Sequence, residues 1–165
     1  MLMVTSGVAA SLCYLAATGL QLQRMLKGSG TDGWVKLLAA LAIILHGFTA
    51  YKGFINTSGY DLGIYPMLSL MSLSIGAIVL ISSLRRPVDN LFVFVFPLAI
   101  STIILQIVLK GDYTPLQDIT GGIFSHIALS VIAYSLLTIA AAQALLLSFG
   151  DNMLRHHRLV ILRNL

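Results

Sequence analysis

The sequence predicts an all-α protein, a polytopic transmembrane helix bundle of about five spans with the amino terminus outside. Hydrophobic residues make up 58% of the 165 residues and charged residues only 10%, and the mean hydropathy is +0.92. A soluble domain of this length needs more charged residues to cover its surface. Long apolar segments alternate with short polar connections along the whole chain. We therefore expect a single transmembrane domain over residues 1–165, in contact with the lipid bilayer.

Five segments are each long enough to cross about 30 Å of hydrocarbon at about 1.5 Å per residue. The first precedes every basic residue of the chain, since the earliest is Arg24, which favours a retained helix over a cleaved signal peptide. The second is the shortest, the third is rich in serine, and the fourth and fifth contain no charged residue. The predicted spans cover residues 3–23, 34–51, 63–84, 91–109 and 123–149.

The distribution of basic residues predicts the orientation of the spans. Lys52 and Lys110 fall on the side of the second and fourth connections, whereas the other eight basic residues fall on the opposite side. Because basic residues are enriched in cytoplasmic loops, the side with eight is predicted to be the cytoplasm. The amino terminus is then outside. The eight inner residues are Arg24, Lys27, Lys36, Arg85, Arg86, Arg155, Arg158 and Arg163.

Two histidines lie inside predicted spans. His46 stands about five residues before the outer end of the second span, and His126 about three residues after the outer start of the fifth. At about 1.5 Å per residue, both imidazoles are predicted to lie roughly 5–8 Å below the outer boundary. Ionisable residues inside spans are costly and are often functional. The matched depth therefore suggests that the two histidines act together.

The fifth span also carries a polar stripe. His126, Ser130 and Tyr134 follow each other at intervals of four residues, so they share one helix face. We expect this face to turn toward the bundle interior, because an unpartnered imidazole or phenol in lipid is costly. The serines of the third span are expected to make helix–helix contacts. The segment "RHHR" at residues 155–158 is interpreted as a charged cytoplasmic flank rather than as a metal motif.

Haem fits the two membrane histidines better than a bare metal ion. Zinc takes three or four protein ligands, and no further ligand is expected beside this pair. Haem iron needs two axial ligands, and the apolar porphyrin suits the interior of a helix bundle. Lys52 and Lys110 lie on the outer side, where they could meet the propionates. The hypothesis is a haem b whose axial ligands are His46 and His126.

Three segments carry a resemblance to a known family. They are "LHGFTAYKGFI", "DLGIYPMLSLMSLSIGAIVLISSLRRPVDNL" and "HIALSVIAYSLLTIAAAQALLLSF", the last followed by the basic flank. The chain resembles the cytochrome c assembly (CcsA/CcmC-like, HemX-like) membrane protein family, and specifically an amino-terminal portion of members from its bacterial inner-membrane branch. This resemblance implies a location in a bacterial inner membrane, haem handling, and a haem-ligand role for His46 and His126. Ser130 and Tyr134 would then support the haem from the same helix face.

The tryptophan-rich outer-loop motif of the haem-delivery members of that family is absent from this chain, whose one tryptophan, Trp34, is predicted to be on the inner side. The alternative hypothesis is therefore a non-haem structural or accessory subunit that uses its membrane histidines for packing or for partner contacts. An ion or solute transporter is disfavoured because the span interiors lack Asp and Glu. Catalysis is not expected, and neither is nucleic-acid binding. Under the haem hypothesis, other membrane proteins of cytochrome biogenesis are the expected partners.

Overall fold

The computed structural model confirms the all-α membrane architecture. Among the residues that the structure describes, five helices are long and apolar enough to cross a membrane. Their bounds agree with the predicted spans within about four residues, except at the end of the fifth. The helices are α1 (Leu2–Lys27), α2 (Asp32–Phe54), α3 (Ile64–Ser83), α4 (Phe92–Val108) and α5 (Gly121–Arg163). The structure describes residues 1–27, 32–56, 59–86, 88–109 and 116–163.

Some residues with predicted roles lie outside the described ranges. Lys110, with its predicted position near the haem propionates, is one of them. For the basic flank at 155–158 the structure describes the helical backbone but not the side chains. The roles predicted for these residues stay predictions.

The first four helices form a closed bundle. Each packs against the next in the sequence, and α1 also packs along α4, which closes the ring. Small residues let these helices approach closely, as is usual where helices pack inside lipid. Fully buried alanines occur on three of the four helices, at Ala10, Ala17, Ala39, Ala42, Ala50 and Ala99.

Aromatic rings fill the middle of the bundle. Phe92 and Phe96 on α4 stack with ring centroids 4.7 Å apart. The ring of Tyr14 from α1 lies 5.1 Å from that of Phe96. All three side chains are fully buried. They form an apolar layer below the polar side chains that occupy the predicted outer half.

A small β element closes the predicted outer end. The strands β1 (Ile55–Asn56) and β2 (Gly59–Tyr60) pair antiparallel in the connection between α2 and α3. Tyr60 also pairs with Leu116 through two backbone hydrogen bonds, of 2.8 and 3.0 Å. The connection between α2 and α3 is thus tied to the connection between α4 and α5.

An acidic side chain joins three segments at the predicted inner end. Asp89 begins a 3₁₀ turn (Asp89–Leu91) that leads into α4. Its carboxylate lies 3.4 Å from the guanidinium of Arg24 on α1 and 3.7 Å from the ammonium of Lys36 on α2. The ion pairs hold the turn against the ends of two helices.

The fifth helix differs most from its prediction. It continues to Arg163 instead of ending near Phe149, because the basic flank that follows the apolar segment is compatible with helix. Its 43 residues span about 65 Å, which is about twice the thickness of the hydrocarbon layer. It packs against α3, outside the ring of the first four helices. Most of its described surface is therefore exposed within this chain.

Candidate functional site

His46 lies at a hydrogen-bonded centre where three helices meet. Its side chain on α2 is fully buried. The Nε2 atom lies 3.0 Å from the Ser69 hydroxyl on α3, and the Nδ1 atom lies 3.3 Å from the Tyr14 hydroxyl on α1. The Tyr14 ring meets the imidazole edge-on, with centroids 5.9 Å apart. The sequence indicated that His46 lies inside a span, but nothing in it indicated these two partners.

Both ring nitrogens of His46 are engaged in this arrangement. A neutral imidazole has one N–H donor and one acceptor nitrogen, so it can bond to both hydroxyls at once. A metal would have to displace one of the hydroxyls to reach a ring nitrogen. His46 therefore holds α1, α2 and α3 together. With both ring nitrogens bonded to hydroxyls, it has no nitrogen available to ligate an iron.

Further hydroxyl pairs extend the polar centre. The hydroxyls of Ser72 on α3 and Thr102 on α4 lie 2.6 Å apart. Those of Ser6 on α1 and Thr49 on α2 lie 2.8 Å apart. Each pair joins two helices, and Ser72 is three residues from Ser69 on the same face of α3. The prediction that the serines of the third span make helix–helix contacts is confirmed for Ser69 and Ser72.

Gln106 is a buried polar residue whose environment was not predicted. Its side chain on α4 is 7% exposed, and neither its amide nitrogen nor its amide oxygen has a hydrogen-bond partner among the described residues. The amide packs against Gly53 on α2, where a Cβ atom would collide with it. A glutamine in an apolar segment was visible in the sequence, but nothing there indicated a tight contact with a glycine.

His126 is in a different environment from His46. It lies in the second turn of α5, and its side chain is exposed. α5 contacts α3, and the position of that contact is fixed by Ser135, whose buried hydroxyl lies 3.3 Å from the backbone oxygen of Met71. Ser135 comes nine residues after His126. Nine residues correspond to two and a half helical turns, so His126 lies on the side of α5 that faces away from α3.

The same contact gives the relative depth of the two histidines. Ser69 is at the level of His46, and Met71 is two residues further toward the inner side. Since α3 and α5 run in the same direction, His126 lies about 10 Å closer to the outer side than His46 does. The predicted depth match is therefore wrong. The prediction assumed that the outer end of the second span and the outer start of the fifth lie at the same level, whereas α5 begins further out. The chain does not bring His46 and His126 together around one iron.

The polar stripe of α5 does not face the bundle as predicted. Tyr134 is 58% exposed, and Ser130 is only half-buried and makes no side-chain hydrogen bond among the described contacts. The buried face instead contains Ser135, one residue further along. Consecutive residues are about 100° apart around a helix. Because Ser135 faces α3, the side chain of Tyr134 points away from that contact.

His126 fits haem as a single ligand. Its imidazole is exposed, and the same side of α5 continues with the small or apolar residues Ala133 and Leu137, which are also exposed. Exposed apolar residues next to an accessible imidazole could contact a porphyrin whose iron the imidazole ligates. No group of three or more His, Cys, Asp or Glu side chains that could hold a bare metal occurs in the described part of the chain. Lys52 on the predicted outer side lies 5.8 Å from the ring centre of Phe48.

Comparisons with known proteins support the membrane assignment. The chain is 27% identical over 155 residues to the protein named inner membrane protein YpjD in Escherichia coli strains K12, O6:H1 and O157:H7. The matches cover 91% of this chain and 58% of each relative, so the chain spans less than two thirds of their length. No protein-family model matches the chain, and no solved structure matches it. With five helices in its described ranges that are long and apolar enough to cross a membrane, the chain is a multi-pass protein of the bacterial inner membrane that is similar to YpjD.

Proposed function

We propose that this chain belongs to a haem-handling protein of the inner membrane, of the cytochrome c assembly type, and that His126 is its haem ligand. The observation that carries the proposal is the exposed imidazole of His126 on a largely apolar helix face. The family resemblance of the third and fifth spans supports it. Haem supplies an iron that takes axial imidazole ligands. The chain contributes one such ligand, near the outer end of α5.

His46 and His126 have different roles under this function. His46 is structural, because both of its ring nitrogens bond to hydroxyls. Tyr134 and Ser130 lie at the edge of the His126 face and would contact the porphyrin rather than the interior of the bundle. The iron's second axial ligand would come from outside the described residues. Other membrane proteins of cytochrome biogenesis are the partners that such a role requires.

An absorption spectrum of the purified chain supplied with haem tests this function. We expect the wild-type protein to bind haem b and give a Soret band, and His126→Ala to lose it. His156→Ala and His157→Ala are the matched controls, and both should leave the spectrum unchanged. Ser69→Ala disturbs the surroundings of His46 without removing an imidazole, and it should leave haem binding intact. A wild-type protein that stays colourless, or a spectrum insensitive to His126→Ala, would contradict the proposal.

The second candidate function is a non-haem structural or accessory membrane subunit. The hydrogen bonds of His46 favour it, because a histidine whose two ring nitrogens both bond to hydroxyls can serve packing without a cofactor. In that case the exposed face of α5 contacts a partner protein. A colourless wild-type protein that co-purifies with a membrane partner, and loses it on His126→Ala, would support this second function.

A further inference from the structure

A groove opens at the predicted inner end, between α5 and the first four helices. Its volume is about 840 Å³, within the range of about 300–1,000 Å³ that is typical of small-molecule sites. It runs between the end of α1, the 3₁₀ turn and the inner half of α5. Its apolar walls are formed by Met25, Val88, Leu91, Leu146 and Leu147, and its polar lining by Asn90, Gln143, Ser148 and Asp151. The groove therefore suits an elongated apolar group with a polar end.

Two arginines stand beside this groove. Arg85 and Arg86 lie in the turn that follows α3, and the backbone N–H of Val88 in the groove wall donates to the Arg86 carbonyl at 2.8 Å. Both side chains are exposed. Neither has an acidic partner within the described ranges of the chain. Neither arginine is part of the groove lining, but both add positive charge close to the wall residue Val88, on the predicted inner side.

The nearby acidic side chains do not neutralise these arginines. Asp89 is shared between Arg24 and Lys36, at 3.4 and 3.7 Å. Asp151, on the groove lining, makes an interaction of its own. The turn beside the groove thus keeps an excess of positive charge, on the side of the membrane where the sequence concentrates its basic residues.

We propose that this groove binds an anionic phospholipid of the inner leaflet. The acyl chains lie against the apolar walls, and the phosphate is bound by Arg85 and Arg86. Guanidinium groups bind phosphate oxygens through paired hydrogen bonds, and basic pockets between helices on the cytoplasmic side bind anionic headgroups. A transmembrane helix of another protein would use the apolar walls but not the two arginines. This site does not depend on haem binding at the outer end of α5.

Native mass spectrometry of the detergent-purified 165-residue chain tests the site, with phosphatidylglycerol and phosphatidylcholine as the added lipids. We expect the wild-type chain to retain phosphatidylglycerol in preference to phosphatidylcholine. Replacing Arg85 and Arg86 by Gln should weaken retention of phosphatidylglycerol by about fivefold for each arginine, and leave phosphatidylcholine unchanged. Lys52→Gln, which removes a positive charge on the predicted outer side, is the matched control and should have no effect.

A second variant tests the walls of the groove. Leu147→Trp fills the space between α5 and the 3₁₀ turn from an exposed position, and should lower the retention of both lipids while the helical content stays unchanged. Equal retention of the two lipids by the wild-type chain would overturn the proposal, as would retention of phosphatidylglycerol that is insensitive to the arginine substitutions. A dimer that Leu147→Trp dissociates, with lipid retention unaffected, would assign the groove to a second copy of the chain and would also overturn it.

Discussion

The imidazole of His46 shows how a polar ring can be buried inside an apolar bundle. A buried polar group without a partner costs about 1–3 kcal/mol, and hydrocarbon offers no water to replace a missing hydrogen bond. Tyr14 and Ser69 supply one hydroxyl for each ring nitrogen. The histidine therefore needs no cofactor to be stable at this position, and its two bonds link three helices.

Removal of one of these hydroxyls tests the role of His46. We expect Ser69→Ala to lower the free energy of unfolding by about 1–3 kcal/mol, because Nε2 then lacks a partner. Thermal unfolding in detergent, followed by circular dichroism, measures the change. Ser74→Ala is the control on the same helix, since the Ser74 hydroxyl bonds only to the Leu70 carbonyl of its own turn, and it should change the stability by less than about 0.5 kcal/mol. Equal effects of the two substitutions would contradict the structural role.

The amide of Gln106 presents the opposite case. It is buried without a hydrogen-bond partner among the described residues, so its desolvation is not compensated. We expect Gln106→Met, which keeps an unbranched chain of similar length, to raise the free energy of unfolding by about 1–3 kcal/mol. The same thermal measurement applies. A loss of stability would instead show that the amide is bonded in the membrane, for example to a buried water molecule.

At the scale of secondary structure, α5 shows what a sequence pattern does not determine. Its apolar residues surround the whole helix, so hydropathy predicted the span but not the face that packs. The stripe of His126, Ser130 and Tyr134 was assigned to the interior because polar groups avoid lipid. The structure packs the face of Ser135 on α3 instead. Which face of α5 packs depends on the surface of α3, and the sequence of α5 alone does not contain that information.

The β element at the outer end depends on the backbone conformation of Gly59. Its φ of +123° lies in a region that other residues rarely adopt, and an added Cβ would collide with the Leu116 carbonyl oxygen. We expect Gly59→Ala to lower the free energy of unfolding by at least about 1–2 kcal/mol. Gly19→Ala is the control, because the space around Gly19 in α1 is open, and alanine there should be neutral or stabilising. If Gly59→Ala is harmless in the same thermal assay, the Tyr60–Leu116 pairing is not formed.

The turn between α3 and α4 is held by the ion pairs of Asp89. We expect Asp89→Asn to lower the free energy of unfolding by about 1 kcal/mol, a value reduced for the partial exposure of Arg24 and Lys36. The loss should shrink in high salt, because screening weakens the pairs in the wild-type protein. Asp118→Asn, at an exposed carboxylate on the predicted outer side, is the control. A salt-independent loss would indicate that packing, not charge, is the cause.

For the whole molecule, the number of spans could be predicted and the packing order could not. Every residue in hydrocarbon must be apolar or partnered, which makes the spans visible in the sequence. In lipid there is no hydrophobic driving force for the association of helices. The apolar residues of a span therefore do not indicate which helices are its neighbours. The closed ring of four helices, with α5 outside it, could therefore be identified only from the structure. For the same reason the sequence could place His46 and His126 in spans, but not on separate faces at separate depths.

The orientation of the whole bundle follows from its charges and can be measured directly. Because eight of the ten basic residues lie on the side of the α3–α4 turn, we expect that turn in the cytoplasm and the α4–α5 connection outside. Gln117 and Asn90 are both exposed and lie at opposite ends of the bundle. In a Cys13→Ala background, a membrane-impermeant maleimide should label Gln117→Cys in intact spheroplasts, and Asn90→Cys only after permeabilisation. The reverse labelling would invert the bundle, and would place His126 at the cytoplasmic end and the arginines of the lipid groove in the outer leaflet.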